Sequence, residues 1–290
     1  MALANTIENA AKPQQKPGPA WLAGLLGQGR PLVMGVLNVT PDSFSDGGKF
    51  LDPANALAHA RAMIDQGADI LDVGAESTRP YGGMQPIDAD EELTRLKTVV
   101  PPIAALGVPV SIDTNKASIA AWTLDQGAAM INDVWGLQRD PQMAALVAAR
   151  QVPVVVMHNR DEVDGGIDII ADVINFFERS LKIATKADIA RDKIVLDPGI
   201  GFGKTPEQSL TCIARLAEFK RFGLPLLIGA SRKRFINAVT PSKPDERLGG
   251  SISAHLLAVR NGAAMVRVHD VAETVQALRV AAAIEAAPRT

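Results

Sequence analysis

Residues 34–48 read Met-Gly-Val-Leu-Asn-Val-Thr-Pro-Asp-Ser-Phe-Ser-Asp-Gly-Gly, MGVLNVTPDSFSDGG. The run that leads into them, from Pro31 to Leu37, is apolar throughout and reads as a strand buried on both faces. It turns polar at Asn38 and continues as a loop carrying Thr40, Pro41, Asp42, Ser43, Ser45, Asp46, Gly47 and Gly48. A buried strand that delivers an Asn into a loop of hydroxyls and carboxylates resembles one position on the rim of an active site. The rest of the chain repeats that arrangement.

After the first run, at 31–38, come seven further short apolar runs, at 70–75, 108–114, 130–135, 152–158, 194–199, 224–231 and 265–269. None alternates cleanly between apolar and polar residues, as expected of strands covered on both faces in a parallel sheet. Between them lie amphipathic stretches of helical period at 52–66, 88–106, 115–126, 141–150, 167–186, 205–222, 250–261 and 271–286. The first opens with Asp52 as N-cap and Pro53 at the first helical position. Gly67, Gly107, Gly127, Gly223 and Gly262 stand just before strands, where C-terminal helix caps belong. This α/β alternation, eight units of each, predicts a single (β/α)8 TIM barrel over residues 21–290. A doubly wound open sheet is the alternative. The count of eight and the clustering of polar groups at one end of the strands favour the barrel. Residues 1–20 are rich in Ala, Pro, Gln and Lys, show no periodicity, and predict a short disordered N-terminal tail rather than a signal peptide.

The 290 residues suffice for one large α/β domain. With 47% apolar and 21% charged residues, the balance is that of an ordinary soluble protein. A net charge of −2 gives no electrostatic reason to expect nucleic acid or an anionic membrane as partner. No stretch reaches the length of a membrane span. The single cysteine, Cys212, cannot close an internal disulfide, so a cytoplasmic setting is the expectation.

In a barrel of this kind the chemistry sits at the C-terminal ends of the strands. Those ends carry, in order, Asn38; Asp72 followed by Glu76, Ser77, Thr78 and Arg79; Asp113; Asn132 and Asp133; His158 and Asn159; Asp197; Ser231, Arg232 and Lys233; and Arg267, His269 and Asp270. One polar residue at a strand end is a cap or a solvated rim; eight at once point to a convergent site. Asp113, Asn132 and Asp197 emerge from strongly apolar runs, so their oxygens should lie deep, where carboxylates need donors. A heterocycle with adjacent ring N–H and exocyclic amine, such as a pterin or guanine edge, presents two parallel donors to one carboxylate. Arg232 and Lys233 can donate to ring acceptors. Arg79, Arg267 and His269, placed at the outer rim, suit a phosphate or diphosphate. Asn38, with Asp42 and Asp46, offers oxygens of the kind Mg²⁺ takes when a substrate phosphate completes its shell.

Other motifs fail on spacing. The run 199–205 resembles a phosphate-binding loop, but the first Gly of that pattern falls on Pro198 and the third Gly of a dinucleotide fingerprint on Lys204. It reads as a tight turn opening a helix, with Phe202 as a site wall. No cysteine pair or histidine cluster suggests zinc. His59 and His255, inside helices, read as structural; His158 is open; His269 is the functional candidate.

Seven segments carry a resemblance to the dihydropteroate synthases: LNVTPDSFSDGG (37–48), DVGAESTRP (72–80), SIDT (111–114), IND (131–133), LDPGIGFGK (196–204), SRK (231–233) and RVH (267–269). The resemblance implies a (β/α)8 barrel that joins 7,8-dihydropterin-6-ylmethyl diphosphate to 4-aminobenzoate, giving 7,8-dihydropteroate and diphosphate in folate synthesis. It implies that Asp113, Asn132, Asp197 and Lys233 hold the pterin, and that Thr78, Arg79, Arg267 and His269 meet the diphosphate. It further implies that Asn38 binds Mg²⁺ and that Pro80, Phe202 and Lys233 line the aminobenzoate pocket. The catalytic residues would be Asp113, Lys233, Arg267 and His269. A homodimer through the helices on the 6–8 side, and sensitivity to sulfonamides, belong to the same implication. Rival readings are a pterin-binding methyltransferase domain, against which the 38–48 loop and the Arg267/His269 pair argue, a catalytically silent pterin-binding paralogue, and a phosphosugar barrel enzyme.

Overall fold

Eight strands lie side by side, all parallel, in the computed structural model, which describes residues 18, 20–39, 53–75 and 87–288. They are β1 (Leu32–Asn38), β2 (Ile70–Gly74), β3 (Val110–Asp113), β4 (Met130–Asp133), β5 (Val154–Met157), β6 (Ile194–Asp197), β7 (Leu227–Ile228) and β8 (Met265–Val268). Their order is β6-β5-β4-β3-β2-β1-β8-β7. A parallel bridge between Leu196 and Leu226 joins the two ends and closes the barrel. The expected tail, 1–20, lies outside the described residues except for Gly18 and Ala20.

The strand interiors explain why the sequence shows no clean alternation. Residues aligned across the barrel by register, such as Met34 with Ile70 and Leu32 with Met265, point inward. Low in the barrel these inward positions are apolar: Leu32, Met34, Ile70, Met130, Val155, Val195, Leu227 and Met265 form one buried cluster. Higher up, on β2, β3, β4, β6 and β8, they turn polar: Asp72, Asp113, Asn132, Asp197 and Arg267. The outward positions, among them Val33, Leu71, Val73, Ile112, Val154, Val156 and Val266, pack under the helices in a separate cluster. Both faces are therefore apolar in the lower half, and the polar residues surface only at the top.

Helix α1 (Trp21–Leu26) stoppers the lower mouth, with Leu22 2% exposed and Trp21, Leu25 and Leu26 against the interior cluster. It is a short element that precedes the repeating pattern, and the pattern gives no sign of it. The outer layer comprises α2 (Pro53–Asp65), α3 (Ala89–Lys97), α4 (Val100–Ala104), α5 (Ala117–Asp125), α6 (Met143–Arg150), α7 (Ile169–Lys186), α8 (Pro206–Ala214), α9 (Arg234–Val239), α10 (Leu248–Arg260) and α11 (Val271–Glu285). The single helix expected at 88–106 is two. Pro101 and Pro102 lack the N–H that would continue α3, so the chain restarts with proline in the first turn of α4. The stretch 205–222 likewise splits, ending as a 3-10 helix at Leu216–Phe222. The five glycines read as helix caps all have positive φ, from 61° at Gly223 to 107° at Gly262.

Candidate active site

The upper end of the barrel holds a floor of opposed charges. Arg267, pointing inward from β8, donates from Nε to Asp72 Oδ2 at 2.6 Å and from one terminal nitrogen to Asp113 Oδ2 at 2.9 Å. It is thus not on the outer rim, where the sequence placed it, but inside, tying β8 to β2 and β3. Asn132 Nδ2 donates to the same Asp72 oxygen at 3.1 Å. Asp72 is fully buried. The sequence shows it at a strand end without assigning it a role; its signal is the shared inward register with Ser111 and Asp113 that only pairing reveals. Gly74 leaves Asp113 its space, since a Cβ there would stand 3.3 Å from Asp113 Cβ.

Above this floor is a narrow cleft lined by Asp113, Asn132, Asp197, Lys233 and Arg267, with Val134, Met157, Ile200, Phe202, Gly199 and Gly229 as walls. Asp113 Oδ1 and Asn132 Oδ1 are buried and meet no hydrogen-bond donor among the described residues. Asp197, 4% exposed, accepts the Gly199 N–H at 2.7 Å. Lys233 Nζ stands 4.0 Å above the centre of the Phe202 ring, a cation–π contact.

Burial lifts Asp113 to about 7, against the pull of Arg267 and with Asp72 and Glu92 adding to the rise. Burial also lifts Asp197 to about 6, partly offset by the Gly199 N–H and by Lys233. Burial works against the charge of Arg267, but Asp72 and Asp113 outweigh it and raise its pKa. Three carboxyl groups against two cations leave this floor acidic, and its orphaned oxygens ask for N–H donors.

The other predicted residues fall as follows. Asn38, half-buried, ends β1. His269 ends the β8 segment, its Nδ1 3.0 Å from Ser231 Oγ, which also accepts its backbone N–H. Burial, with Arg267 and Arg232 nearby, holds His269 down to about 3, so its ring is neutral and not the third cation expected. Arg232, expected to donate to a ring, has a φ of 57° and turns away to pair with Asp270. Thr78, Arg79, Pro80 and the loop with Asp42 and Asp46 lie outside the described residues. His59 is exposed on α2, and His255 is buried on α10, where burial holds it down to about 4 and its Nε2 accepts the Ala230 N–H. His158, left open by the sequence, is buried between Asp172 and Lys204. Lys204, in sequence only one residue of a tight turn, is a buried cation next to the cleft; a lone lysine in a glycine-rich loop gives no sign of this.

Fold and cleft together define a class: a closed (β/α)8 barrel whose upper mouth presents unmet acceptors on an acidic floor. In agreement, the family described as "Pterin binding enzyme" matches residues 34–269. The dihydropteroate synthase of Bacillus subtilis is 47% identical over 241 residues, covering 83% of this chain and 84% of the relative. The structure of Xanthomonas albilineans dihydropteroate synthase with 4-aminobenzoic acid superposes with a TM-score of 0.85 at 42% identity, covering 89% of this chain and 94% of that one. That of the Yersinia pestis dihydropteroate synthase in a sulfonamide drug complex does so with a TM-score of 0.83 at 38% identity, over 89% and 96% of the two chains. The chain belongs to the pterin-binding enzymes and, within them, to the dihydropteroate synthases.

Proposed function

We propose that this cleft condenses 7,8-dihydropterin-6-ylmethyl diphosphate with 4-aminobenzoate, and that Asp113, Asn132 and Asp197 hold the pterin. The observation that carries the residue assignment is the pair of buried, unmet oxygens on Asp113 and Asn132 facing a cleft whose walls are otherwise largely apolar. A pterin edge supplies donors to both, and a buried acceptor left unmet by a wrong ligand is costly, which is a source of selectivity. The deep set of carboxylates fits a planar heterocycle better than the polyol of a phosphosugar. Lys233 lines the cleft and lies over Phe202, which supports its place between the two substrates.

The chemistry follows from the charges. The reacting methylene is attached to an electron-rich ring, so departure of diphosphate leaves positive charge delocalised into the pterin. Asp113, beneath that ring, offsets it. Arg267 holds Asp113 in place and His269 donates to the departing anion. The weakly basic aniline nitrogen then attacks the methylene carbon, and the anilinium so formed loses one proton to water, with no general base assigned. Magnesium is part of this proposal: Asn38 offers a carboxamide oxygen of the kind the ion takes, and a bound ion would offset charge on the diphosphate.

Two further elements belong to the same reading. A homodimer through the helices that follow β6 to β8 is supported by exposed Leu210, Val239, Leu257, Val280 and Ile284 on α8 to α11; sedimentation at micromolar concentration tests it. A cytoplasmic setting is supported by the buried free thiol of Cys212. Among the described residues no helix is long and apolar enough to cross a membrane.

The decisive experiment measures diphosphate release from the pterin diphosphate with and without 4-aminobenzoate and Mg²⁺. With both substrates present, one dihydropteroate formed per diphosphate released, both lost on chelation, is expected; without aminobenzoate a slower release is expected, since diphosphate leaves first (the dissociative order). Tight pterin binding without turnover would overturn the assignment in favour of a silent paralogue. Diphosphate release that strictly requires aminobenzoate would overturn the dissociative order.

A further inference from the structure

One buried cation takes no part in the chemistry above. Lys204 is 2% exposed, and an ammonium is tolerated there only when its donors are met. Its Nζ lies 2.6 Å from His158 Nδ1 and 3.1 Å from the carbonyl oxygen of Phe202. Beyond the imidazole, His158 Nε2 lies 2.9 Å from Asp172 Oδ2, which Arg160 also approaches at 2.9 Å. The proton order is forced. An ammonium only donates, so Nδ1 accepts, Nε2 carries the hydrogen, and the ring donates to Asp172. Burial, with Lys204 alongside, holds His158 down to about 4, so this neutral tautomer persists at physiological pH. The result is a line from cation through neutral ring to carboxylate, joining the loop after β6 to the end of β5 and to α7.

The loop so tied is pressed flat. A Cβ on Gly199 would stand 1.9 Å from the His158 carbonyl oxygen, and one on Gly203 2.5 Å from Arg160 Cβ. What it carries faces the cleft. The Gly199 N–H holds Asp197, and the Phe202 ring lies under Lys233.

We propose that Lys204 is a positioning residue for the aminobenzoate side of the cleft: with His158 and Asp172 it fixes the 199–205 loop so that Phe202 stands against Lys233. This rests on the function proposed above. The groups facing Lys204 are His158 from the end of β5, Arg160 just after it, Asp172 from α7, Asp197 from β6 and Cys212 from α8. Of these the His158–Asp172 arm leads away from the cleft, so it can be cut without touching the ligand. A lysine that merely filled space would act on stability alone.

The test uses the full chain and steady-state kinetics of Lys204→Met, Asp172→Asn and the double variant, with calorimetric titration of the pterin diphosphate alongside. Asp172 is half-buried, so its variant keeps the test alive should Lys204→Met fail to fold. The expected result is a KM for 4-aminobenzoate raised about tenfold in each single variant, the cost of one charge-assisted hydrogen bond. We expect kcat and pterin affinity to stay within about threefold, and the double variant to be no worse than Lys204→Met, because one line is cut twice. Unchanged KM in both single variants, or multiplication of the two effects in the double, overturns the proposal. If the parent itself fails to bind the pterin diphosphate, the functional reading falls first and this one with it.

Discussion

Replacing Asp197 by Asn removes one charge and keeps an oxygen where the Gly199 N–H is held at 2.7 Å. Asp197 is 4% exposed and burial lifts it from 3.8 to about 6. The folded state therefore holds a proton that the unfolded chain has released between those values. Stability due to this group is present at low pH and is lost as pH rises through about 6. At about 1.4 kcal/mol for each pH unit of displacement, the whole effect is about 3 kcal/mol, of which about 2 kcal/mol falls between pH 4.5 and 8. The neutral carboxamide of the variant carries no such cost. Urea titrations of parent and Asp197→Asn at the two pH values should show the difference between them moving by about 2 kcal/mol in the variant's favour as pH rises. Calorimetry at pH 8 should show its affinity for the pterin diphosphate falling about 100-fold, the cost of losing hydrogen bonds to a charged acceptor. A difference in stability that stays flat with pH, or unchanged affinity, would refute the reasoning that this carboxylate is kept ionised for a ligand at the expense of the fold.

Arg267→Lys should cost about 10- to 100-fold in kcat/KM while the protein remains folded, because a single ammonium cannot span Asp72 and Asp113 as the guanidinium fork does; activity within twofold of the parent would count against the floor as described. Gly199→Ala should destabilise the fold by about 3 kcal/mol in urea titration, since φ is 67° and the new Cβ would overlap the His158 carbonyl. Binding of the pterin diphosphate at pH 6 should release protons, because ring donors favour the ionised forms of Asp113 and Asp197, lifted to about 7 and about 6 by burial; calorimetry in buffers of different ionisation enthalpy reads this, and proton uptake would contradict it.

The barrel was legible because its signals are local. Glycines at positive φ end the helices, and apolar runs too short for helices alternate with amphipathic ones. Pro101 and Pro102 carried the signal for the break between α3 and α4, but the surrounding helical period masked it. Helix α1 was hidden for a different reason. Its apolar face is complementary to the barrel's lower mouth, and that mouth exists only once eight distant strands have closed. The convergence of Asp113, Asn132 and Asp197 on one buried cleft was legible because a polar side chain that closes an apolar run is buried at a cost that a local cap does not explain. Arg267 was misplaced since its strand position says nothing of where a long side chain bends; two carboxylates, 195 and 154 residues away in sequence, decide that. Arg232 and Lys233 are adjacent and chemically alike, and only the left-handed backbone at Arg232 sends one to Asp270 and leaves the other over Phe202.

The same asymmetry governs the site's energetics. A floor built for stability would pair each carboxylate with a cation and leave no oxygen unmet. Here Arg267 is shared between Asp72 and Asp113, Asp197 leans on a backbone N–H, and two oxygens face the cleft without donors among the described residues. The fold bears that deficit because the lower interior of the barrel and the layer under the helices are both apolar, and the closed barrel holds the polar layer above them. A ligand that brings donors relieves the deficit, so part of its affinity is stored in the floor before it arrives. Rigid walls are needed for that storage, since a loop free to relax would turn its own amides into the cleft. The buried tie from Lys204 through His158 to Asp172 holds such a loop in place, and for that reason it belongs with the site although no part of it is asked to touch the reacting atoms.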